Sequence, residues 1–212
     1  MRRLFWILSL TLLATLFVGC SDSGADLIIH NTTSNRLWVT LGSEEFLLYS
    51  GEQLSQHFET EEQTIFNNDI TRDVKVGLMG ETYRIFDYNG ETFVDETTVK
   101  LRVEETSHVY CNSNLACIKV INLSDTEVTK VKYTKRYESG NNPHDTFLMS
   151  PPLEYEEEWF LPVDGIYESH FYYELEVTLD NDVVVTAGDS LSSSLYIDEI
   201  FTVIINEENS GE

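Results

Sequence analysis

The feature that most constrains this chain is alternation. From Phe171 to Leu179 the residues Phe171, Tyr173, Leu175, Val177 and Leu179 fall on one face, while Glu174, Glu176 and Thr178 fall on the other. A period of two belongs to a strand with one buried face. Asp180-Asn181-Asp182 then supplies turn chemistry before Val183-Val184-Val185, which predicts a hairpin. Val74, Val76 and Leu78 alternate likewise, followed by a turn at Gly80, the run Tyr83-Arg84-Ile85-Phe86 and turn residues at Asp87-Tyr88-Asn89-Gly90. Val99, Leu101 and Val103 alternate with Lys100 and Arg102, and no window beyond the N-terminal segment carries a 3.6-residue apolar stripe. The expected class is all-β.

The alternating segments also recur. Leu27, Ile29, Asn31, Thr33 and Leu37 match Ile118, Val120, Asn122, Ser124 and Val128, each 91 residues later. Leu48 and Ser50 match Leu148 and Ser150 at 100, Val76 and Leu78 match Val177 and Leu179 at 101, and Leu101 matches Val203 at 102. An offset with one large jump is what duplication with a single main insertion produces, and places that insertion within residues 129–148. The pieces Val120-Ile121-Asn122-Leu123-Ser124, Leu148-Met149-Ser150-Pro151 and Leu161-Pro162-Val163-Asp164-Gly165-Ile166-Tyr167 resemble β-sandwich units of bacterial envelope proteins. The first half keeps Ile29-His30-Asn31-Thr32-Thr33 and Leu48-Tyr49-Ser50-Gly51-Glu52 but lacks the Leu-Pro stretch. The resemblance implies two tandem antiparallel β-sandwich domains, immunoglobulin- or fibronectin-III-like, and a surface role without catalytic residues. The expected organisation is domains over 27–108 and 118–207, a linker over 109–117 and an acidic tail over 208–212.

The N-terminus differs from the rest. Arg2 and Arg3 precede an apolar run over residues 4–18, interrupted only by Ser9, Thr11 and Thr15, which reads as a secretory signal peptide. The run is shorter than the roughly 20 apolar residues that span a bilayer. Phe17-Val18-Gly19-Cys20 resembles the lipobox of bacterial lipoproteins, with Phe17 where that family prefers Leu. The resemblance implies removal of residues 1–19, lipidation of Cys20 and, through Ser21, the outer membrane. More than one acyl chain is needed for stable anchoring, and lipoprotein maturation supplies it. Residues 20–26 then read as the lipidated cysteine and a small, polar tether.

Charge sharpens this picture. The chain carries 13 Lys+Arg against 37 Asp+Glu, net −24; loss of Arg2 and Arg3 leaves 11 − 37 = −26. A surface this acidic is unsuited to replacing the counterions of nucleic acid, so no nucleic-acid partner is expected. From residue 137 onward there are 18 Asp+Glu and no Lys or Arg. Immediately before lie Lys130, Lys132, Lys135 and Arg136, of which Lys130, Lys132 and Arg136 share one strand face. These read as lysines guarding an edge strand and pairing with glutamates across the sheet, or as a docking stripe for an acidic partner.

Two cysteines remain, Cys111 and Cys117, in Cys-Asn-Ser-Asn-Leu-Ala-Cys. An exported protein is expected to pair them, a ring worth about 2.4 kcal/mol in the chain-entropy model. The bond would stiffen the junction between domains. No further cysteine pair or histidine cluster completes a zinc site, and five residues separate them where a redox CxxC needs two.

No histidine among His30, His57, His108, His144 and His170 has an HxH or HExxH partner, and neither a nucleophile elbow nor a phosphate-cradling Gly loop appears. Neither Glu154, Glu156 and Glu158 nor Asp180-Asn181-Asp182 matches a known calcium loop. Asn31-Thr32-Thr33 and Asn122-Leu123-Ser124 match glycosylation sequons but read as turns. The expectation is a non-enzymatic, lipid-anchored envelope protein with a binding, adhesion or structural role, no cofactor, no metal and no identified small-molecule substrate. Its candidate recognition surface is Lys130, Lys132, Arg136, Asn141, His144 and Trp159, because loops on rigid sandwiches carry binding. The alternatives are an accessory subunit with an envelope protein partner, or a calcium-dependent carbohydrate binder or hydrolase.

Overall fold

The alternation becomes strands throughout. The computed structural model describes residues 24–59, 71–137, 144–147, 152–167 and 170–210; the signal segment, Cys20 and Asn141 lie outside them. The first half contains β1 (Gly24–Asn31), β2 (Leu37–Leu41), β3 (Glu44–Leu48), β4 (Gln53–Glu59), β5 (Thr71–Gly80), β6 (Ile85–Asp87), β7 (Thr92–Val94), β8 (Glu96–Arg102) and β9 (Thr106–Cys111). The second contains β10 (Ala116–Asn122), β11 (Val128–Tyr137), β12 (His144–Phe147), β13 (Glu158–Val163), β14 (Phe171–Leu179), β15 (Val184–Ala187), β16 (Ile200–Ile205) and a terminal turn of helix, α1 (Glu207–Ser210).

One strand order serves both halves. The first has sheets β4-β1-β9 and β3-β2-β5-β8; the second has β13-β10-β16 and β12-β11-β14-β15. With the β6-β7 hairpin set aside, the seven strands of each half occupy the same places in chain order. These are two tandem β-sandwiches. Each also departs from a purely antiparallel design at one pair. β10 runs parallel to β16, Cys117 opposite Ile200 and Asn122 opposite Ile205. In the first half, Asp26 N donates to Glu105 O and Thr32 N to Cys111 O, a constant separation of 79 residues that also marks a parallel pair.

The recurring Asn-x-Ser/Thr pieces explain how each half folds back between its sheets. Asn31 and Asn122 are 1% and 0% exposed. The Asn31 side-chain amide donates to Asn35 O and Leu48 O, and its Oδ1 accepts from the Thr33 backbone and hydroxyl. Asn122 does the same with Thr126 O, Leu153 O and Ser124. Each asparagine thus satisfies a buried Asx-turn and pins it to a later segment. Their burial removes the sequon reading.

These bonds also correct the internal alignment. Leu48 corresponds to Leu153 rather than Leu148, and Glu52 to Glu157, an offset of 105. Gly51, at φ 78°, corresponds to Glu156, at φ 64°, so the same left-handed turn is kept without glycine in the second half. Glu81 N donates to Arg36 O as Asp180 N does to Glu127 O, an offset of 99. Val76 and Leu78 therefore slip by one same-face step from the expected register, and Leu101, in β8, does not correspond to Val203, in β16. An offset that rises to 105 and falls to 99 requires length changes in both halves.

The expected disulfide is absent. Cys111 and Cys117 are free and buried. Cys111 ends β9 and Cys117 lies in β10, strands of different three-stranded sheets. The Tyr83 hydroxyl pairs with Cys111, and Cys117 Sγ donates to Ile118 O. Burial pushes both thiols up to about 12, which keeps them protonated and unreactive. The strands also run into the expected linker, leaving only residues 112–115 between them.

The chain divides into two compact units, one from 1–28, 55–74 and 99–109, the other from 29–54, 75–98 and 110–212. In the first, Ala25, Leu27, Val74, Leu101 and Val103 are buried. The second holds the continuous core of the second sandwich, in which Ile118, Val120, Val131, Leu175, Val177 and Val203 pack together. Every site described below belongs to this larger unit.

Candidate functional site

The Leu161–Tyr167 stretch, which has no counterpart motif in the first half, builds a cleft. Its seat depends on a close approach: a Cβ on Gly165 would lie 2.7 Å from Ile197 N, and Ile166 N donates to Leu195 O at 2.7 Å. Only glycine lets the two segments meet this closely. The stretch thereby carries Asp164 and Tyr167 beside β11, where Lys135 and Tyr137 stand on the same face as buried Val131.

Two adjoining cavities result, of about 200 and 430 Å³, sharing Phe93, Leu115, Lys135 and Asp164. Arg84 lines the smaller, and Tyr167 and Phe171 the larger. Lys135 Nζ bonds Asp164 Oδ2 at 2.8 Å and sits 4.0 Å from the centre of the Phe171 ring. Burial pulls the Lys135 pKa down, but the bonds to Asp164 and Tyr137 outweigh it and raise it, so the ammonium stays charged. The Tyr173 hydroxyl donates to Asp164 O at 2.9 Å, fixing the backbone beneath that carboxylate. On the other wall, Asn114 clips the Arg84 backbone through both amide atoms, and Arg84 pairs with Asp95. Arg84 Nε is a buried donor without a hydrogen-bond partner. Tyr167 is 84% exposed at the rim.

The described residues of the expected recognition surface are divided between two sheets. β11 is an interior strand, between β12 and β14, so the edge-strand explanation of its lysines fails. The cross-strand explanation holds: Lys132 pairs with Glu176 at 2.9 Å and Arg136 with Glu174 at 2.7 Å. That leaves Lys130, opposite Thr178 on the same face, so the stripe is largely neutralised. Trp159 lies in β13, in the other sheet, and packs against the core. His144 opens β12 opposite Thr134.

Two carboxylates, Glu81 buried and Asp198 half-buried, are the other places where chemistry could reside, and both are fully engaged. Glu81, 2% exposed, accepts from the Arg36 backbone at 3.0 Å, from its guanidinium at 2.6 Å, and from Lys119. Glu158 closes the set by pairing with Arg36 and lying 3.9 Å from Lys119. Burial pushes the Glu81 carboxyl up, and the hydrogen bonds from Arg36 and Lys119 more than reverse it, so it lies below its ordinary value. Arg36 also covers Trp38, which stacks on Phe160 with centroids 4.9 Å apart. Asp198, at φ 75°, accepts from Ser113, from the Thr82 hydroxyl at 2.8 Å, from Asn35 at 3.1 Å and from Ser34 N at 3.0 Å. These sets join segments distant in sequence and read as structural ties. Among the described residues no cluster of three His, Cys, Asp or Glu could hold a metal.

Sequence reasoning missed Lys135, Asp164 and Arg84 as neighbours. The available signal was the Leu161–Tyr167 stretch itself, with a glycine between an acid and an exposed tyrosine.

No protein-family model matches the chain, and no curated protein is significantly similar to it. Among solved structures it is similar to the Bacillus anthracis TIE protein at 10% identity and a TM-score of 0.25, over 88% of this chain and 34% of that one. The chain thus spans about a third of that protein's length. A Bacteroides ovatus protein described as a candidate cell adhesion protein matches at 10% identity and a TM-score of 0.27, over 86% and 92% of the two chains. The major pilin of Streptococcus pyogenes matches at 7% identity and a TM-score of 0.21, over 86% and 97%. At these scores the likenesses carry no argument about site or ligand.

Proposed function

We propose that this chain is a non-catalytic binding module of the bacterial envelope, held at the outer membrane by lipid on Cys20, with the cleft beside Tyr167 as its recognition site. The cleft carries the reading. It joins aromatic rings to a cation and a carboxylate already satisfied by each other, Lys135 with Asp164. Groups matched in this way bind and orient a ligand. The anchor is supported by the apolar run and Phe17-Val18-Gly19-Cys20. A body of net charge −26 after processing gains nothing from anionic lipid, so retention at the membrane falls to the acyl chains (11 − 37).

Two measurements test this reading. Labelling with a palmitate analogue should mark the wild type and not Cys20→Ser, which should leave the membrane fraction. Affinity capture from solubilised envelopes should retain a ligand on the wild type and lose it on Tyr167→Ala. An unlabelled, freely soluble wild type overturns the anchor, and identical capture by Tyr167→Ala overturns the site.

A further inference from the structure

The cleft's chemistry narrows its ligand. Its two cations are each matched by an exposed carboxylate, Lys135 by Asp164 and Arg84 by Asp95, so the four charges sum to zero. With each cation already matched, the cleft offers neither an acidic nor a basic ligand an uncompensated partner. What remains on offer is a row of donors and acceptors at fixed positions beside aromatic surface. Asp164 supplies acceptor oxygens and Lys135 supplies donors.

We infer that the cleft binds a neutral pyranosyl unit of a saccharide, with the sugar's apolar face on Tyr167 and its hydroxyls directed to Asp164 and Lys135. A sugar hydroxyl both donates and accepts, which suits an ammonium and a carboxylate side by side. The larger cavity, about 430 Å³, lies within the usual range for a small-molecule site. Tyr167 is 84% exposed although large and apolar, and it stands on a segment held rigid through Gly165 and Ile166. A tyrosine ring has only two side-chain torsions to immobilise, so ordering it on binding costs little entropy. This inference rests on the proposal that the cleft is the recognition site, and adds to it the class of ligand.

The test uses the full chain in a detergent without a sugar headgroup. It is titrated by NMR with cellobiose, lactose, mannobiose, chitobiose and, as the acidic probe, a galacturonic acid disaccharide. A neutral disaccharide should shift resonances of Tyr167, Asp164 and Phe171. Tyr167→Ala should weaken binding about tenfold or more, the scale of a lost anchoring aromatic, and Asp164→Asn should also weaken it. Tyr167 is exposed and Asp164 is a surface carboxylate, so both variants keep the fold, to be verified by their melting temperatures. Tighter binding of the acidic probe, or shifts confined to residues outside the cleft, overturns the saccharide assignment. If no saccharide binds while Tyr167-dependent capture from envelopes persists, the saccharide inference fails and the binding-module reading stands; loss of both removes both.

Discussion

Glu81 is the most demanding residue in the structure. Its carboxylate is buried, with a side chain 3% exposed, and it neutralises Arg36 and Lys119, whose side chains are 23% and 13% exposed. Glu81→Gln keeps the volume and removes the charge, leaving both cations with Glu158 alone. Removing one partner of a buried ion pair costs about 3–5 kcal/mol. Glu158 still faces both cations and is 39% exposed, so the lower end applies, about 3 kcal/mol. For a chain of this size that lowers Tm by about 6–12 °C. The control is Glu158→Gln, whose exposed position limits its cost to about 1 kcal/mol.

The pH dependence gives the reasoning a second test. The folded Glu81 carboxyl lies below its ordinary value of 4.5. Its contribution is therefore complete above that pH and is lost as pH falls below it through the folded pKa. Thermal melts of wild type and Glu81→Gln should diverge near neutral pH and converge in acid. A variant that melts within about 1 °C of wild type near neutrality, or a gap that stays constant into acid, would refute the assignment.

Other hydrogen-bonded and paired groups are open to the same kind of measurement. Asn31→Ala and Asn122→Ala each strand buried backbone groups and should cost about 2–3 kcal/mol in urea unfolding, whereas Asn31→Asp leaves the acceptor role but loses the donations to Asn35 O and Leu48 O. Burial pushes the Asp198 carboxyl up, but bonds from Ser113, Ser34 and Thr82 hold it below 3.8; Asp198→Asn should therefore flatten the loss of stability that wild type shows as pH falls through this range. Cys111 and Cys117 should react with an alkylating reagent only after denaturation, and reductant should leave Tm unchanged; a native mass two hydrogens lighter than the reduced chain would contradict the free-thiol structure. Lys132→Ala should change stability by less than about 1 kcal/mol, because its pair with Glu176 is half exposed.

The strands were legible because alternation is local. Phe171–Leu179 alternates in burial as its sequence alternates in polarity. The turn chemistry of Asn31 and Asn122 was legible as a repeat, but not as a buried tie, since its acceptors Leu48 O and Leu153 O lie far along the chain. Alternation repeats every two residues, so it cannot distinguish an offset of 99 from 101; only cross-strand bonds could. The cysteine pair misled because close spacing in sequence says nothing about which sheet each strand joins. The basic stripe was legible as cross-strand pairing with glutamates, but not as an interior strand, because the order β12-β11-β14 is set by segments on either side of it in space. The cleft depends on Gly165 meeting Ile197, a contact that no local pattern encodes.

An anchored chain that binds its ligand at the Tyr167 cleft should crosslink to it there. The decisive measurement places a photo-crosslinking phenylalanine analogue, which keeps an aromatic ring, at position 167 in living cells and, as a control, at position 49, where Tyr49 is 58% exposed in the first half. A discrete adduct from position 167 and none from position 49 is the result predicted. No adduct at 167, or the same adduct at both positions, would contradict it.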